Sequence, residues 1–205
     1  MREWLVLIVV VVAIGSGVAY YTNTRHEVST PAIQEPQIIP GISSIEYRDT
    51  EYGFSIEYPE TASSSAVDFE GYVPLTQTPV MSFVLPSSMG EGTNLSEAGI
   101  YIGATTTPDV VAICSTSSIG VGETFVGTTS INGASFGVFT SAEVAAGNIY
   151  EATAFRAVHA GRCLEIVELL HFTTIANYPE GSVAEFDTAT FQGYLRKMVD
   201  SLKLI

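Results

Sequence analysis

The sequence predicts an α+β protein with one antiparallel sheet, made of a four-strand meander and an N-terminal hairpin. A C-terminal helix covers this sheet, and a transmembrane helix precedes it. Three observations support this prediction. Residues 4–21 contain no charged side chain, residues 124–173 form a run of β-type segments separated by short turn signals, and residues 187–202 place apolar side chains at helical spacing. We therefore expect one membrane-spanning segment and one sheet-based domain.

The apolar N-terminal segment reads WLVLIVVVVAIGSGVAYY, and as a helix it covers most of a hydrocarbon core about 30 Å thick. Trp4 lies at one end and Tyr20 and Tyr21 at the other, where aromatic rings favour the two membrane interfaces. We predict an uncleaved anchor with a cytoplasmic N-terminus. A signal peptide cleaved after Ala19 is the alternative, and both interpretations place the rest of the chain outside the cytoplasm.

The chain is predicted to have three regions. Residues 1–21 form the membrane anchor or uncleaved signal. Residues 22–44 contain three prolines and little apolar periodicity, which is typical of an extended tether. Residues 45–205 are about 160 residues long, which is the usual size of one domain, and we predict one extracytoplasmic α+β domain there.

The net charge of the chain is −14, and the predicted extracytoplasmic part carries all of it. A surface of this charge repels phosphate backbones, so we expect no nucleic acid partner. Cationic partners and loosely bound divalent ions remain compatible with it. Acidity that simply keeps an exported protein soluble is the simpler explanation.

The two cysteines, Cys114 and Cys163, both follow the predicted anchor. In an oxidising compartment a single pair of cysteines is more often a disulfide than a reactive site. A bond that closes a loop of about 50 residues contributes roughly 4 kcal/mol to stability in the chain-entropy model. We therefore predict a disulfide, with a reactive thiol as the alternative.

The predicted domain opens with a β-hairpin that ends at Pro59. Phe54, Ile56 and Tyr58 alternate with polar residues in the pattern of a half-buried strand. Further strands are predicted at 80–85 and 99–105, with loops at 60–78 and 87–96. The second loop contains the glycosylation sequon Asn94-Leu95-Ser96. Residues 108–114 fit a short helix or a strand equally well.

Residues 124–173 predict a meander of four antiparallel strands, at 124–131, 134–146, 149–159 and 162–173. The turns are Asn132-Gly133, Gly147-Asn148 and Ala160-Gly161, of which the first is a strong two-residue hairpin signal. Counting back from the third turn places Arg156 opposite Glu165 and Tyr150 opposite His171. The first of these pairs is a predicted cross-strand ion pair.

The C-terminal segment predicts a helix that begins after a capping Asp187. Arg196 and Lys197 are expected on its polar side. The last strand of the meander has large apolar residues on both faces, so we expect this helix to cover one of them. The apolar stripe consists of Phe191, Tyr194, Leu195, Met198, Val199 and Leu202.

Three features together resemble the PsbP-like group of α/β/α sandwiches. They are the opening motif Tyr52-Gly53-Phe54-Ser55-Ile56-Glu57-Tyr58-Pro59, the meander, and a final helix that runs into Met198-Val199-Asp200-Ser201-Leu202-Lys203. They also resemble single-pass, membrane-anchored bacterial surface proteins that share the opening hairpin. The resemblance implies a central sheet with helices on both faces and a binding or assembly role, but it assigns no functional residue.

Gly133-Ala134-Ser135-Phe136-Gly137 matches the G-x-S-x-G string of serine hydrolases. That motif requires a sharp turn between a strand and a helix, which exposes the serine beside an oxyanion hole. Here the first glycine belongs to a hairpin turn and the chain continues as a strand. Glu165 and His171 are available as partners for Ser135, but the context does not favour this interpretation.

Metal sites are also not favoured by the sequence. Glu165 and His171 would stand about 20 Å apart on an extended strand, and Glu168 would point to the opposite face from His171. The opening hairpin is acidic, which suits an exposed edge and also the alternative of a weak calcium site. Its acidic residues are Glu46, Asp49, Glu51, Glu57 and Glu60.

These observations predict a membrane-anchored, extracytoplasmic and non-enzymatic domain with a binding or assembly role at the cell envelope. The expected partners are the membrane and an envelope protein or ligand. No cofactor is implied, because the chain contains none of the common cofactor motifs. The alternatives are an envelope hydrolase that uses Ser135 and a weak divalent-cation-binding module.

Overall fold

A computed structural model describes residues 43–66 and 78–205. Two 3-10 helices, Ser87–Gly90 and Ile175–Asn177, lie among its strands and α-helices. The strands are β1 Ser44–Asp49, β2 Phe54–Pro59, β3 Ser63–Ser65, β4 Thr78–Val84, β5 Leu95–Thr105, β6 Thr124–Ile131, β7 Ala134–Ala145, β8 Asn148–His159, β9 Arg162–Thr173 and β10 Lys203–Leu204. The α-helices are α1 Pro108–Ile113 and α2 Thr188–Ser201.

The strands form two antiparallel sheets. The large sheet has seven strands in the order β3-β4-β5-β9-β8-β7-β6, and the small sheet has three in the order β1-β2-β10. The α+β class is therefore as predicted, but the opening hairpin does not join the sheet of the meander. Its free edge at β2 instead pairs with Lys203 and Leu204, because the chain that leaves α2 returns alongside Ser55 and Phe54.

The main core lies between one face of the large sheet and a layer made of α2 and the small sheet. Asp187 caps α2, as its Oδ1 accepts a hydrogen bond from the N–H of Thr190 at 3.2 Å. The predicted apolar stripe faces this core, although Leu202 lies just after the last helical residue. The core side chains of the hairpin and of the helix are Phe54, Ile56, Phe191, Leu195, Met198, Val199 and Leu202.

The other face of the large sheet is covered at one end by α1 and the chain that follows it. Val110 of this helix packs with Cys114 and Cys163. Residues 108–113, which the sequence leaves undecided, are thus helical. We call residues 114–123, which lie against this face, the strap. At Gly137 the backbone of the strap is so close that a Cβ atom would lie 2.2 Å from the carbonyl oxygen of Ser115.

The meander has the predicted strand order, and two of its turns fall where the sequence places them. The second turn is shifted by one residue, because its central residues are Ala146 and Gly147, with φ angles of 51° and 83°. A type I′ turn needs a positive φ at both central positions, and this pair supplies them. β7 therefore ends at Ala145 and β8 begins at Asn148.

Further element boundaries also differ from the predictions. The predicted loop at 60–78 contains the edge strand β3, whose serines pair with β4 through the backbone and leave no apolar pattern. β4 ends at Val84, and β5 begins at Leu95, four residues earlier than predicted. β1 begins at Ser44, the last residue of the predicted tether.

Asn94 of the sequon is a buried structural residue that is 5% exposed. Its Nδ2 donates to the carbonyl of Thr173 at 2.8 Å, and its Oδ1 accepts the N–H of Phe186 at 3.0 Å. The side chain therefore joins the end of β9 to the segment that leads into α2. An amide committed in this way is not presented for glycosylation in the folded domain.

Replacing Asn94 with alanine should lower the free energy of unfolding by about 2 kcal/mol, because the buried N–H of Phe186 and the partly buried carbonyl of Thr173 both lose their partner. Urea denaturation of the full-length chain in detergent measures this change. Ser96→Ala is the matched control, since it also removes the sequon but alters an exposed side chain. Equal stability of the two variants would refute the structural role of Asn94.

Candidate functional site

A groove of about 660 Å³ lies between α2 and strands β6 to β9 of the large sheet. It opens where the sheet extends beyond the helix, on the same face as the main core. One wall is formed by Gln192, Leu195 and Arg196 of α2. The floor contains Thr124, Thr140, Ala142, Glu151, Thr153, Glu168 and Leu170.

The floor of the groove changes from apolar to polar within one step along the strands. Val138, Phe155 and Ile166 form a cross-strand row that packs under the helix layer. Two residues further along, on the same face, the next row consists of Thr124, Thr140, Thr153 and Glu168. We call it the threonine row. A sheet face that only packed against a helix would continue as apolar at these positions.

Glu168 ends the threonine row and is only 7% exposed. Arg196 of α2 donates from Nη2 to Oε2 of Glu168 at 3.2 Å, and the guanidinium lies 4.5 Å from the ring centroid of Phe155. The Nε atom of Arg196 is 3.2 Å from Oε1, but without hydrogen-bond geometry. Oε1 thus accepts no hydrogen bond from the residues that the structure describes.

The electrostatic setting of Glu168 favours its neutral form. Burial raises the pKa of Glu168 to about 7, Arg196 opposes the rise, and the negative charge of Asp200 adds to it. Sequence reasoning placed Arg196 on the polar side of the helix, away from the apolar stripe. That expectation holds in part, because the Arg196 side chain is 42% exposed but also reaches back over Phe155 to Glu168 on the sheet, whereas Lys197 is exposed.

On the opposite face of the sheet, Arg156 and Glu165 are paired in the register that the third turn predicts. The Nε atom of Arg156 donates to Oε1 of Glu165 at 2.6 Å, and both side chains are fully buried. Nη2 of Arg156 also donates a hydrogen bond to Oε1 of Glu123, which lies at the end of the strap. The guanidinium lies 4.5 Å from the ring centroid of Phe139. We call Arg156, Glu165 and Glu123 the ionic triad.

In the ionic triad, the guanidinium of Arg156 pairs with two carboxyl groups, those of Glu165 and Glu123. Burial raises the pKa of Glu165 to about 7, and the charge of Glu123 adds to the rise although Arg156 opposes it. Burial of Glu123 acts in the same direction, but hydrogen bonds from Arg156 and the N–H of Gly120 hold its pKa below the usual value. Nη1 of Arg156 and Oε2 of Glu165 have no hydrogen-bond partner among the described residues. The triad is enclosed and has a structural role.

Cys114 and Cys163 form a disulfide with their Cα atoms 5.6 Å apart. Both residues are almost fully buried, at 1% and 0% exposure. The bond ties the start of the strap to β9, two residues before Glu165. The ionic triad holds the other end of the strap through Glu123.

Tyr150 and His171 face each other across β8 and β9, as predicted, and their rings are stacked with centroids 4.2 Å apart. His171 also contacts Oδ1 of Asn148 through Nε2 at 3.2 Å. Glu168 lies on the opposite face of the sheet, in the groove. Within residues 43–66 and 78–205 there is no group of three or more histidine, cysteine or acidic side chains with the spacing of a metal site.

Ser135 is exposed on β7, two residues after the turn residue Gly133. The fold explains why both ends of the G-x-S-x-G string are glycine. Gly133 has a φ of 84°, and Gly137 leaves room for the backbone of the strap. The motif therefore lies on a strand that leaves a hairpin, not on a turn between a strand and a helix. No histidine or carboxylate among the described residues is hydrogen-bonded to Ser135.

In the acidic hairpin, Asp49 is engaged in the turn that joins β1 to β2. Its Oδ1 accepts the N–H groups of Glu51 and Tyr52, each at 2.9 Å, and its Oδ2 accepts the hydroxyl of Tyr47 at 3.0 Å. The carboxylate thus stabilises the hairpin turn. This use differs from the calcium-binding role that is the alternative interpretation of these residues.

The predicted interface residues Trp4, Tyr20 and Tyr21, and the possible cleavage site at Ala19, lie outside the described residues. In the part of the chain that the structure does describe, no helix has the length and apolar character needed to cross a membrane.

Sequence reasoning missed the groove and two of the charged residues described above. Helical periodicity predicts Arg196 on the solvent side of α2, and Glu123 lies in the strap, 33 residues before Arg156. The available signal for the groove was the position of three threonines, which the turns of the meander bring into register with Glu168.

Comparison with known proteins yields structural likenesses only. No protein-family model matches the chain, and no curated protein matches it. The cyanobacterial PsbP protein CyanoP from Synechocystis is similar with a TM-score of 0.47 and 13% identity, over 84% of this chain and 99% of that one.

Two other solved structures are similar at a lower level. A Bacteroides thetaiotaomicron protein has a TM-score of 0.44 and 12% identity over 78% of this chain and 48% of its own length. The yeast Ran-binding protein Mog1p has a TM-score of 0.39 and 12% identity over 80% of this chain and 96% of its own. These likenesses carry no information about ligand or activity. The chain's own elements, two antiparallel sheets and two α-helices in the described residues, make it an α+β protein.

Proposed function

We propose that the protein is a non-enzymatic binding or assembly module, held at the outer face of a cell membrane by residues 1–21, like membrane-anchored bacterial surface proteins. The groove beside α2 supports this proposal, because it is a concave site in which polar side chains converge on a buried carboxyl. We propose that the groove receives part of an envelope protein.

Binding is favoured over catalysis by how Glu168 is held. A carboxyl with a pKa near 7 is suited to general acid or base chemistry. Here, however, Arg196 is hydrogen-bonded to one of its oxygens and fixes the carboxyl between the helix and the sheet. A carboxyl that is fixed in this way suits recognition better than proton transfer.

The extracytoplasmic location is supported by two observations. The Cys114–Cys163 disulfide suits an oxidising compartment. The uncharged segment 4–21 provides an export signal and an anchor in one element. The net charge of −14 is compatible with an exposed soluble domain.

Reporter fusions in a bacterial host test the location. Alkaline phosphatase fused after Ile205 should be active, because it folds only outside the cytoplasm, and the activity should disappear when residues 1–21 are deleted. A fluorescent protein at the same position should stay dark. The mass of the mature chain distinguishes an intact anchor from cleavage after Ala19. Active phosphatase in the deletion variant, or bright fluorescence, would contradict the proposal.

Site-specific photo-cross-linking in intact membranes tests the binding role. A photoreactive amino acid at Thr140, on the floor of the groove, should cross-link a discrete envelope protein. Glu143 is the matched control position, because it is exposed on the same strand but points to the opposite face. Cross-linking of the same protein from both positions, or from neither, would argue against the groove as the binding surface.

A further inference from the structure

The large sheet ends at β6, and this edge differs from the other sheet edges that the structure describes. β3 and β10 are edges of three and two residues, and β1 presents the exposed charges of Glu46 and Arg48. Short length and charge both keep edge strands from pairing with other chains. β6 has eight residues without a charge or a proline, so it lacks these protections.

The backbone groups that this edge leaves open are defined by its register with β7. A bulge between Phe125 and Gly127 interrupts the register, which is then continuous up to Ile131. Ile131 flanks the two-residue turn and therefore exchanges both backbone hydrogen bonds with β7. Because hydrogen-bonded positions alternate, the N–H and C=O groups of Thr128 and Ser130 point away from β7. None of the described residues outside the sheet hydrogen-bonds to these groups.

The segments around this edge are uncharged although the chain is strongly acidic. Between positions 110 and 142 the only charged residue is Glu123, which is paired with Arg156 in the ionic triad. The net charge of the chain is −14, so two copies repel each other over most of their surface. At an uncharged edge a second copy approaches without this repulsion. A basic partner would find no countercharge there.

Apolar side chains at and just before the start of β6 are left in water. Phe125 is 43% exposed, Val126 is 56% exposed, and Val121 of the strap is fully exposed. Apolar surface beside an unprotected edge strand is typical of a protein interface.

We infer that β6 is a dimerisation edge, at which β6 of a second copy of this chain pairs in antiparallel orientation around a two-fold axis at Thr129. This inference goes beyond the proposed function of the groove and does not depend on it. In this register Thr128 of each copy faces Ser130 of the other, so both sets of open backbone groups form hydrogen bonds. An axis at Thr128 would bring the bulge into the ladder, and an axis at Ser130 would bring in the turn.

A second copy fits this edge better than a flexible peptide does. β6 is already held as a strand by β7, so pairing costs little further ordering of the backbone. The register sets the hydroxyl groups of Thr128 and Ser130 opposite each other on one face, and the two Thr129 side chains opposite each other on the other face. Hydroxyl pairs of this kind stabilise antiparallel strands. The same surface thus serves both copies, as a two-fold dimer requires.

Single-cysteine cross-linking of the full-length chain in host membranes tests this inference. Thr129→Cys places the new thiol on the axis, where the Cα atoms of a non-hydrogen-bonded pair are about 4.5 Å apart and within reach of a disulfide. Mild oxidation should convert most of this variant into a reducible species of twice the chain mass. Ser64→Cys is the matched control, because it is exposed on β3 at the opposite edge of the same sheet and should stay monomeric.

The register has a readout of its own. Thr128→Cys and Ser130→Cys should each cross-link poorly alone, because each residue is offset by two positions from its own copy, beyond the usual reach of a disulfide. When the two variants are co-expressed with tags of different size, a mixed dimer should form efficiently. Mixed and single-variant dimers in equal yield would contradict the axis at Thr129.

A charge placed at the edge should separate the copies. In the Thr129→Cys background, Ser130→Glu should lower the cross-linking yield severalfold, because each dimer gains two carboxylates beside the axis. High salt should restore part of the yield. Ser130→Ala is the neutral control and should change the yield much less. Ser130 is exposed, so the melting temperature of both variants should stay within a few degrees of the parent and exclude loss of folding.

Equal cross-linking from Thr129→Cys and Ser64→Cys, or none from Thr129→Cys, would overturn the inference. Equal yields are also what a dimer held only by residues 1–21 would give. A cross-link from position 129 to a different protein would overturn the assignment to a second copy. The proposed function is tested separately by photo-cross-linking from Thr140 in the groove, so either result can fail without the other.

Discussion

Replacing Arg156 with leucine should lower the free energy of unfolding by about 3–5 kcal/mol. The guanidinium is fully buried and is the shared partner of Glu165 and Glu123. Its removal leaves the carboxyl of Glu165, which has no access to water, without a countercharge. The replacement also removes the contact with Phe139. Denaturation in urea at neutral pH measures the loss.

The double variant Arg156→Leu with Glu165→Leu is the informative control. Replacing both members of a buried ion pair with apolar side chains is often nearly neutral, because no charge is left in the interior. Glu123 keeps the hydrogen bonds that its Oε2 accepts from the N–H groups of Ile119 and Gly120. We expect the double variant to recover most of the lost stability. If it is as unstable as the single variant, the loss comes from packing and not from charge.

The pH dependence of the single variant provides a second check. Without Arg156, only burial and the charge of Glu123 act on Glu165, and both raise its pKa further above that of the unfolded chain. A group with a raised folded-state pKa stabilises the fold below its unfolded pKa, and this stabilisation is lost as the pH rises through the folded value. The deficit of Arg156→Leu should therefore be smaller near pH 5 than near pH 8. A deficit that does not vary with pH would contradict an electrostatic origin.

The ionic triad illustrates what could and could not be predicted from the sequence. The pairing of Arg156 with Glu165 follows from counting nine residues across a two-residue turn, so local information is sufficient. Glu123 is 33 residues from Arg156, in a segment without a clear periodic pattern. Its position depends on how the strap crosses the sheet, which no local rule determines.

The same distinction applies to the candidate site. The strands of the meander are set by turn chemistry and alternation, and these features place Thr153 opposite Glu168. The groove itself is the space beside α2, where the sheet extends beyond the helix. Its existence therefore depends on tertiary packing. Helical periodicity assigned Arg196 to solvent because it describes where a Cα atom points and does not account for the reach of a long side chain.

The separate small sheet also shows the limit of local reasoning. The alternation of Phe54 and Ile56 with polar residues predicts a strand, but it does not identify the neighbouring strands. β10 is two residues long and is separated from α2 by Leu202 alone, so the sequence pattern of the apolar stripe predicts that the helix continues there. Pairing with β2 satisfies the backbone groups of Lys203 and Leu204 and fixes the hairpin beside the helix.

Removing the disulfide with the double variant Cys114→Ala and Cys163→Ala should lower the free energy of unfolding by about 4 kcal/mol. The bond closes a loop with a sequence separation of 49, and loss of this constraint increases the entropy of the unfolded chain. In the folded protein, the strap would then be held by Glu123 at its far end and by packing of its backbone against Gly137. Denaturation in urea, compared with that of the oxidised wild type, measures the change.

The local effect of the disulfide can be separated from its effect on the unfolded chain. Limited proteolysis under native conditions should cut the double cysteine variant within residues 115–122 before global unfolding, whereas the wild type should resist. Adding Glu123→Gln should accelerate this cleavage more in the cysteine variant than in the wild type, because the strap then loses both attachments. Equal acceleration in the two backgrounds would show that the attachments act independently. If the cysteine variant is not cut before global unfolding, the disulfide stabilises the protein only through the unfolded chain, and the strap owes its position to packing at Gly137.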